Sequence, residues 1–449
     1  ASRAARGAGA AARGILTLPA GRAVVLALLL AGRAVAGDVF GGWESAAPMG
    51  TPRQEIGGAA IGDVIYVVGG LAGPTPSDAV EAYDTVADRW RPVAPLPAAL
   101  HHVAVAAVDG RLYAFGGLVA DFGAVASVFA YDPGADAWTP RAPLPTARGA
   151  AAAAVLAGRV FVAGGLRAGA SVDDFAAYDP ATDTWTKLPA MSHACDHLGA
   201  ATVDPLVYAI GGRDGGTLFA LGTAFEPATN LWFKEVAPLL TARGGLAVAA
   251  LGGRLFAFGG EGNPDHPLGV FPQTEMFEPS LNSWFAQPDM PTPRHGIAAV
   301  PVGGRIYVIG GATVQGLGTT GVNEVFLPPS GEPLAVRRLV LARRGKRLRV
   351  TARLDGVDDD PATVPLRVRV RDDAGDVASV ALGTGTLVAK GRGWRPLPGV
   401  LPPGTALSLR RRQALVLRFA SGTQRPPSSR KGLGVAVELG ARLFAGTFR

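Results

Sequence analysis

Four arginines and four histidines recur at one place in a repeating register. Measured back from the first glycine of a Gly-Gly doublet that occurs six times, position −16 holds Arg53, Leu100, Arg148, Cys195, Arg243 and Arg294. Position −15 includes His101 and His295, and position −14 includes His102 and His197. A ring of guanidinium groups would offer a positive rim to carboxylates, sulfates or other acidic groups. The same groups could instead pair with backbone carbonyls and with acids, and so hold loops in place. Arg53, Arg148, Arg243, Arg294, His102 and His197 are therefore the candidate ligand-binding residues. The densest imidazole cluster is "HACDH" (His193–His197), where the sequence breaks the "TARG" seen elsewhere, and His266 lies in "EGNPDHP". A metal needs three ligands converging on one point, whereas adjacent residues of a strand point to opposite faces. No metal ligand, cofactor or catalytic residue is assigned.

What must position these residues is the repeat itself. Six apolar strands end in Gly-Gly, with first glycines at Gly69, Gly116, Gly164, Gly211, Gly259 and Gly310. An aromatic stands three residues before each: Tyr66, Tyr113, Phe161, Tyr208, Phe256 and Tyr307. A second aromatic follows at Tyr83, Tyr131, Tyr178, Phe225, Phe277 and Phe326. Seven residues after the first five of these come Trp90, Trp138, Trp185, Trp232 and Trp284. That spacing is the register of two antiparallel strands joined by a tight turn, which the "DP" and "EP" dipeptides start. Each unit of nearly 50 residues predicts one four-stranded sheet, and such sheets bury their faces by stacking radially.

The doublet followed by spaced Tyr and Trp resembles the kelch repeat, over about residues 38–330. The resemblance implies an all-β fold, a six-bladed kelch-type β-propeller. The sixth unit has Pro333 where a Trp is expected, while Trp43 in "WESAAPM" matches Trp90 in "WRPVAPL". Trp43 is therefore expected on the last strand of the sixth blade, closing the ring and removing an open edge. Some kelch-like propellers are copper radical oxidases, which use two tyrosines, two histidines and a cysteine cross-linked to one tyrosine. All seven tyrosines here occupy repeat positions, and the single Cys195 sits in the arginine slot. A six-bladed sialic-acid epimerase is the alternative enzyme reading. Glu261 and Asp265 are the loop acids such chemistry would call on. The regular blades and variable loops instead imply a non-catalytic binding or scaffold protein that recognises a protein or anionic glycan partner.

Composition divides the chain. Residues 331–449 hold 23 of the 43 Lys and Arg but only 9 of the 36 Asp and Glu. Period-two alternation in "RRLVLARRGKRLRVTARL", "PLRVRVRDD", "TALSLRRR", "ALVLRFAS" and "LGVAVEL" predicts a small β-sandwich-like domain at 335–449 with a basic face. No aromatic interleaving accompanies the basic residues, so nucleic acid is not expected. "DGVDDD" (Asp355–Asp360) could offer oxygens to calcium but lacks EF-hand spacing. With one cysteine there is no intrachain disulfide and no Cys-based zinc site. Arginines, an apolar run at Ala23–Gly32 and "AVA" before Gly37 read as a signal or leader over 1–36. A secreted or periplasmic monomer without a transmembrane segment is expected.

Overall fold

A computed structural model describes residues 41–329 and the strands between Pro333 and Phe448. The leader at 1–36, the acids of 355–360, the loop at 422–432 and the side chains of the basic strands lie outside the described residues. Residues Gly37–Arg449 belong to one compact unit.

Six four-stranded antiparallel sheets follow one another in the propeller. Blade 1 is Gly57–Ile61, Val64–Val68, Val80–Asp84 and Arg89–Val93, and blades 2 to 5 repeat this plan. Blade 6 is Ala298–Val302, Arg305–Ile309, Asn323–Leu327 and, from the other end of the ring, Gly42–Ala46. Trp43 stands opposite Phe326 in that pair, just as Trp90 stands opposite Tyr83 and Trp185 opposite Tyr178. The first strands of neighbouring blades touch around the axis.

The core consists of six apolar wedges, each shared by two neighbouring blades. The second-strand aromatic of each blade meets the third-strand aromatic of the next. The pairs are Tyr66–Tyr131, Tyr113–Tyr178, Phe161–Phe225, Tyr208–Phe277, Phe256–Phe326 and Tyr307–Tyr83, with centroids 5.6–6.3 Å apart.

Polar staples join the rims. In four places one alanine has both backbone groups taken by the next blade. Ala47 N–H donates to Asp88 (2.7 Å) and its carbonyl accepts from the Trp90 indole (2.7 Å). Ala94 does the same with Asp136 and Trp138, Ala142 with Asp183 and Trp185, and Ala237 with Asn282 and Trp284. At the doublets the backbone itself is the reason for glycine. Gly116 has φ +59, and a Cβ there would lie 2.2 Å from the Arg148 carbonyl oxygen. That oxygen accepts from Gly117 N–H at 3.0 Å.

The described residues of the basic segment are strands. Leu366–Asp372 and Gly375–Leu382 form the hairpin expected at "DDAGD", with Asp372 opposite Gly375. Pro333–Arg344 joins two groups of strands. Its start runs parallel to Arg442–Phe448, and its remainder pairs antiparallel with Arg347–Leu354. Ten strands are linked in this way.

Candidate functional site

At position −14 the chain turns a corner just before each blade's first strand. The six corner residues, Glu55, His102, Ala150, His197, Gly245 and Gly296, all have φ between +51 and +66. Each donates its N–H to the carbonyl of its counterpart in the preceding blade, at 2.8–3.0 Å. Six peptides thus close a hydrogen-bonded belt around the axis. With the residue that follows each of them, they line a cavity of about 110 Å³. Its apolar lining is Ile56, Val103, Ala151, Leu198, Leu246 and Ile297, and its polar lining is Glu55, His102 and His197.

The alternation argument against converging histidines fails here, because His102 and His197 are corners rather than strand residues. Their Nε2 atoms lie 3.0 Å apart, and His102 Nε2 is 3.2 Å from Glu55 Oε2. One shell out, His101 Nε2 faces the Val119 carbonyl at 3.1 Å and its Nδ1 meets His102 Nδ1. His197 Nδ1 meets Asp196 Oδ1, and Asp196 also accepts from Ser171 Oγ at 2.6 Å. Arg213 bridges Asp196 (3.3 Å) and Glu261 (2.5 Å), and His295 Nε2 lies 3.3 Å from Glu261 and 3.5 Å from Glu55.

Charge follows these contacts. Burial, reinforced by His197 and His101, holds His102 well below the ordinary histidine value, and burial lowers His101. For Asp196 burial acts upward, but His197, Ser171 and Arg213 outweigh it and the carboxyl is lowered. For Arg213 the nearby Glu261 and Asp196 outweigh burial and raise it.

Of the sequence candidates, the structure brings His102 and His197 together at the cavity. Arg53, Arg148, Arg243 and Arg294 stand elsewhere, 0–1% exposed, each turned into its own blade. Arg53 donates to the Gly69 and Ala79 carbonyls and to Glu81; Arg294 donates to Gly310, Val322 and Glu324. Arg243 pairs with Glu275, and Arg148 lies 3.8 Å from Asp174. Cys195 fills the same slot, its thiol 3.3 Å from the Gly211 carbonyl. His193 packs on Phe219. Of the two loop acids, Glu261 joins the cluster and Asp265 is exposed.

Sequence reasoning missed Glu55, Asp196 and Arg213 as site residues. A signal was present. The residue two after each first glycine is Leu71, Leu118, Leu166, Arg213, Glu261 and Ala312. These residues bridge to position −15, so Arg213 faces Asp196 and Leu118 faces His101. The repeat turns polar where these two positions meet in blade 4.

Comparison with known proteins agrees with this architecture. Residues 57–260 match the family described as "KLHDC2/KLHL20/DRC7 Kelch-repeats domain". Kelch-like protein terF of Aspergillus terreus is 35% identical over 305 residues, 63% of this chain and 66% of that protein. Kelch-like protein 9 of Mus musculus is 40% identical over 80 residues, 17% of this chain and 13% of that protein. The chain thus spans just under two thirds of the first relative and about an eighth of the second. The solved structure of YjhT aligns over 68% of this chain and 99% of its own, with a TM-score of 0.55 and 16% identity, a likeness of fold.

Proposed function

The chain carries a kelch-repeat six-bladed β-propeller domain, a fold typical of protein-interaction scaffolds, and we propose that it binds a protein or glycan partner through the loop face around the axis. One observation carries this reading. Of the seven exposed large apolar side chains among the described residues, Phe122, Leu221, Leu268 and Leu317 lie between the second and third strands of blades 2, 4, 5 and 6. These segments all begin beside the polar cluster. Exposed apolar side chains on the segments around a polar centre suit a partner that buries them and hydrogen-bonds within.

Cavity size weighs against turnover of a sugar on the axis. About 110 Å³ is below the roughly 300 Å³ at which ligand pockets begin. Among the described residues no helix is long and apolar enough to cross a membrane. The partner is read as extracellular or periplasmic from the leader, and N-terminal sequencing of the protein made in its host tests that.

The binding test compares two variants of the full chain in crosslinking from the host's extracellular fraction and on a glycan array. One carries Phe122→Ser, Leu221→Ser, Leu268→Ser and Leu317→Ser. The other carries Leu231→Ser and Phe233→Ser on the outer strand of blade 4. The reading expects the first to lose its partner and the second to keep it. The opposite pattern would place recognition on the rim.

A further inference from the structure

We propose that the polar end of the axial cavity is a divalent metal site, with His102 Nε2, His197 Nε2 and the Glu55 carboxylate as ligands and zinc-type chemistry. The ligand atoms of these three residues all lie within 4.8 Å of one another.

The hydrogen-bond chain fixes which nitrogens are free. The Val119 carbonyl can only accept, so His101 carries its proton on Nε2 and turns the lone pair of Nδ1 toward His102. His102 therefore donates from Nδ1, and its Nε2 is a bare lone pair. The Asp196 carboxylate also only accepts, so His197 is protonated on Nδ1 and its Nε2 is bare as well. Two lone pairs then face each other at 3.0 Å with a carboxylate oxygen 3.2 Å from one of them. His102 Nε2 thus has a donor on each side at about 3 Å, all three residues offer atoms within 4.8 Å of one another, and a cation held among them would relieve the repulsion.

Spacing and charge fit one. With metal bonds of 2.0–2.1 Å, tetrahedral ligands sit about 3.3 Å apart. A carboxylate that holds the far nitrogen of a ligating histidine is the usual outer shell of a zinc site, and Asp196 does this for His197. Glu55, Asp196 and Glu261 against Arg213 leave two negative charges when the histidines are neutral, matching one divalent cation. Arg213 does not occupy the site. Its Nη2 lies 3.2 Å from His197 Nε2 and 3.4 Å from Nδ1, which puts it over the ring face and off either lone pair. Imidazole with carboxylate is a donor set for zinc and its neighbours. The cavity leaves room for water at a remaining position.

The test is calorimetric titration of the untagged full chain with Zn²⁺, repeated with Co²⁺ for its visible absorption bands. One metal per chain is expected. Ala150 holds this corner in blade 3 at φ +51, so His102→Ala and His197→Ala have a precedent in the fold. Each should abolish binding while circular dichroism and a cooperative melt show that the propeller still folds. Glu55→Gln, which keeps side-chain shape, should weaken it at least tenfold. Asp196→Asn should weaken it about 10–100-fold. His193→Ala and His266→Ala should bind as the wild type does. No binding at micromolar metal, or binding that survives the His102→Ala/His197→Ala double change, would overturn the proposal. Partner binding is read on other residues, so either result can fail without the other.

Discussion

Cys195 and four arginines share one slot, and their side chains act alike by reaching their own blade. The sequence places them in the segment that enters each blade's first strand. The arginines' inward turn is met by an acid: Glu81, Glu275 and Glu324 in the third strand for Arg53, Arg243 and Arg294, and Asp174 just before that strand for Arg148. Three of these acids stand two residues before the third-strand aromatic, so that half of each pair was also legible. Arg148→Ala with Arg243→Ala would leave Glu275 buried without its cationic partner, with the Leu240 N–H still donating to it. Stability should drop by roughly 3–5 kcal/mol for that pair alone, read as a lower denaturant midpoint. Burial pushes the Cys195 thiol up to about 12. At pH 8 a disulfide reagent should therefore label it only after unfolding. Rapid labelling of the native chain would show that the slot is open.

At the scale of the strand pair, the seven-residue interval between aromatic and Trp is enough by itself to set the register. What it does not reveal is the use made of the loop between them. Asp88, Asp136 and Asp183 accept from Tyr83, Tyr131 and Tyr178 and also from the preceding blade's backbone. Such a contact joins residues more than 40 apart and has no local pattern. The tyrosine hydrogen bond leads in lowering Asp88 and Asp183, and the Ala94 N–H leads for Asp136. Their folded values lie below the unfolded one, so the unfolded chain takes up protons first as pH falls. The stability they supply is present above about pH 4 and is lost below it. Thermal melts from pH 7 to 3 should steepen downward there, and Asn at all three positions should flatten the fall. Trp185→Phe keeps a ring but removes the donor to Ala142. It should cost about 1 kcal/mol, measured by chemical unfolding. Phe225→Ala empties a wedge between blades 3 and 4 and should cost about 3–5 kcal/mol. In the basic segment, alternation reveals six of the ten strands. Gly375–Leu382, Leu387–Lys390, Gly393–Pro396 and Arg442–Phe448 escape it, because short or small-residue strands carry weak alternation.

For the whole molecule, Trp43 is the informative residue. A tryptophan with no doublet before it and a sixth blade with none after it can only be reconciled by closing a circle. Removing residues 1–46 should leave Asn323–Leu327 with an open edge. Light scattering should then show association where the intact chain stays monodisperse. The axial site is half legible. His102 and His197 are visible by register, but the cluster needs residues from blades 1, 2, 4, 5 and 6 that meet only when the ring closes. The same closure gathers the loops of all blades onto one face, and that face is the claim most worth testing. The direct measurement is amide hydrogen exchange of the full chain, alone and with the partner recovered by crosslinking. Protection should appear in segments 118–127, 212–221, 261–273 and 312–322. Protection confined to the outer strands, such as Arg89–Val93 and Leu231–Val236, would contradict it.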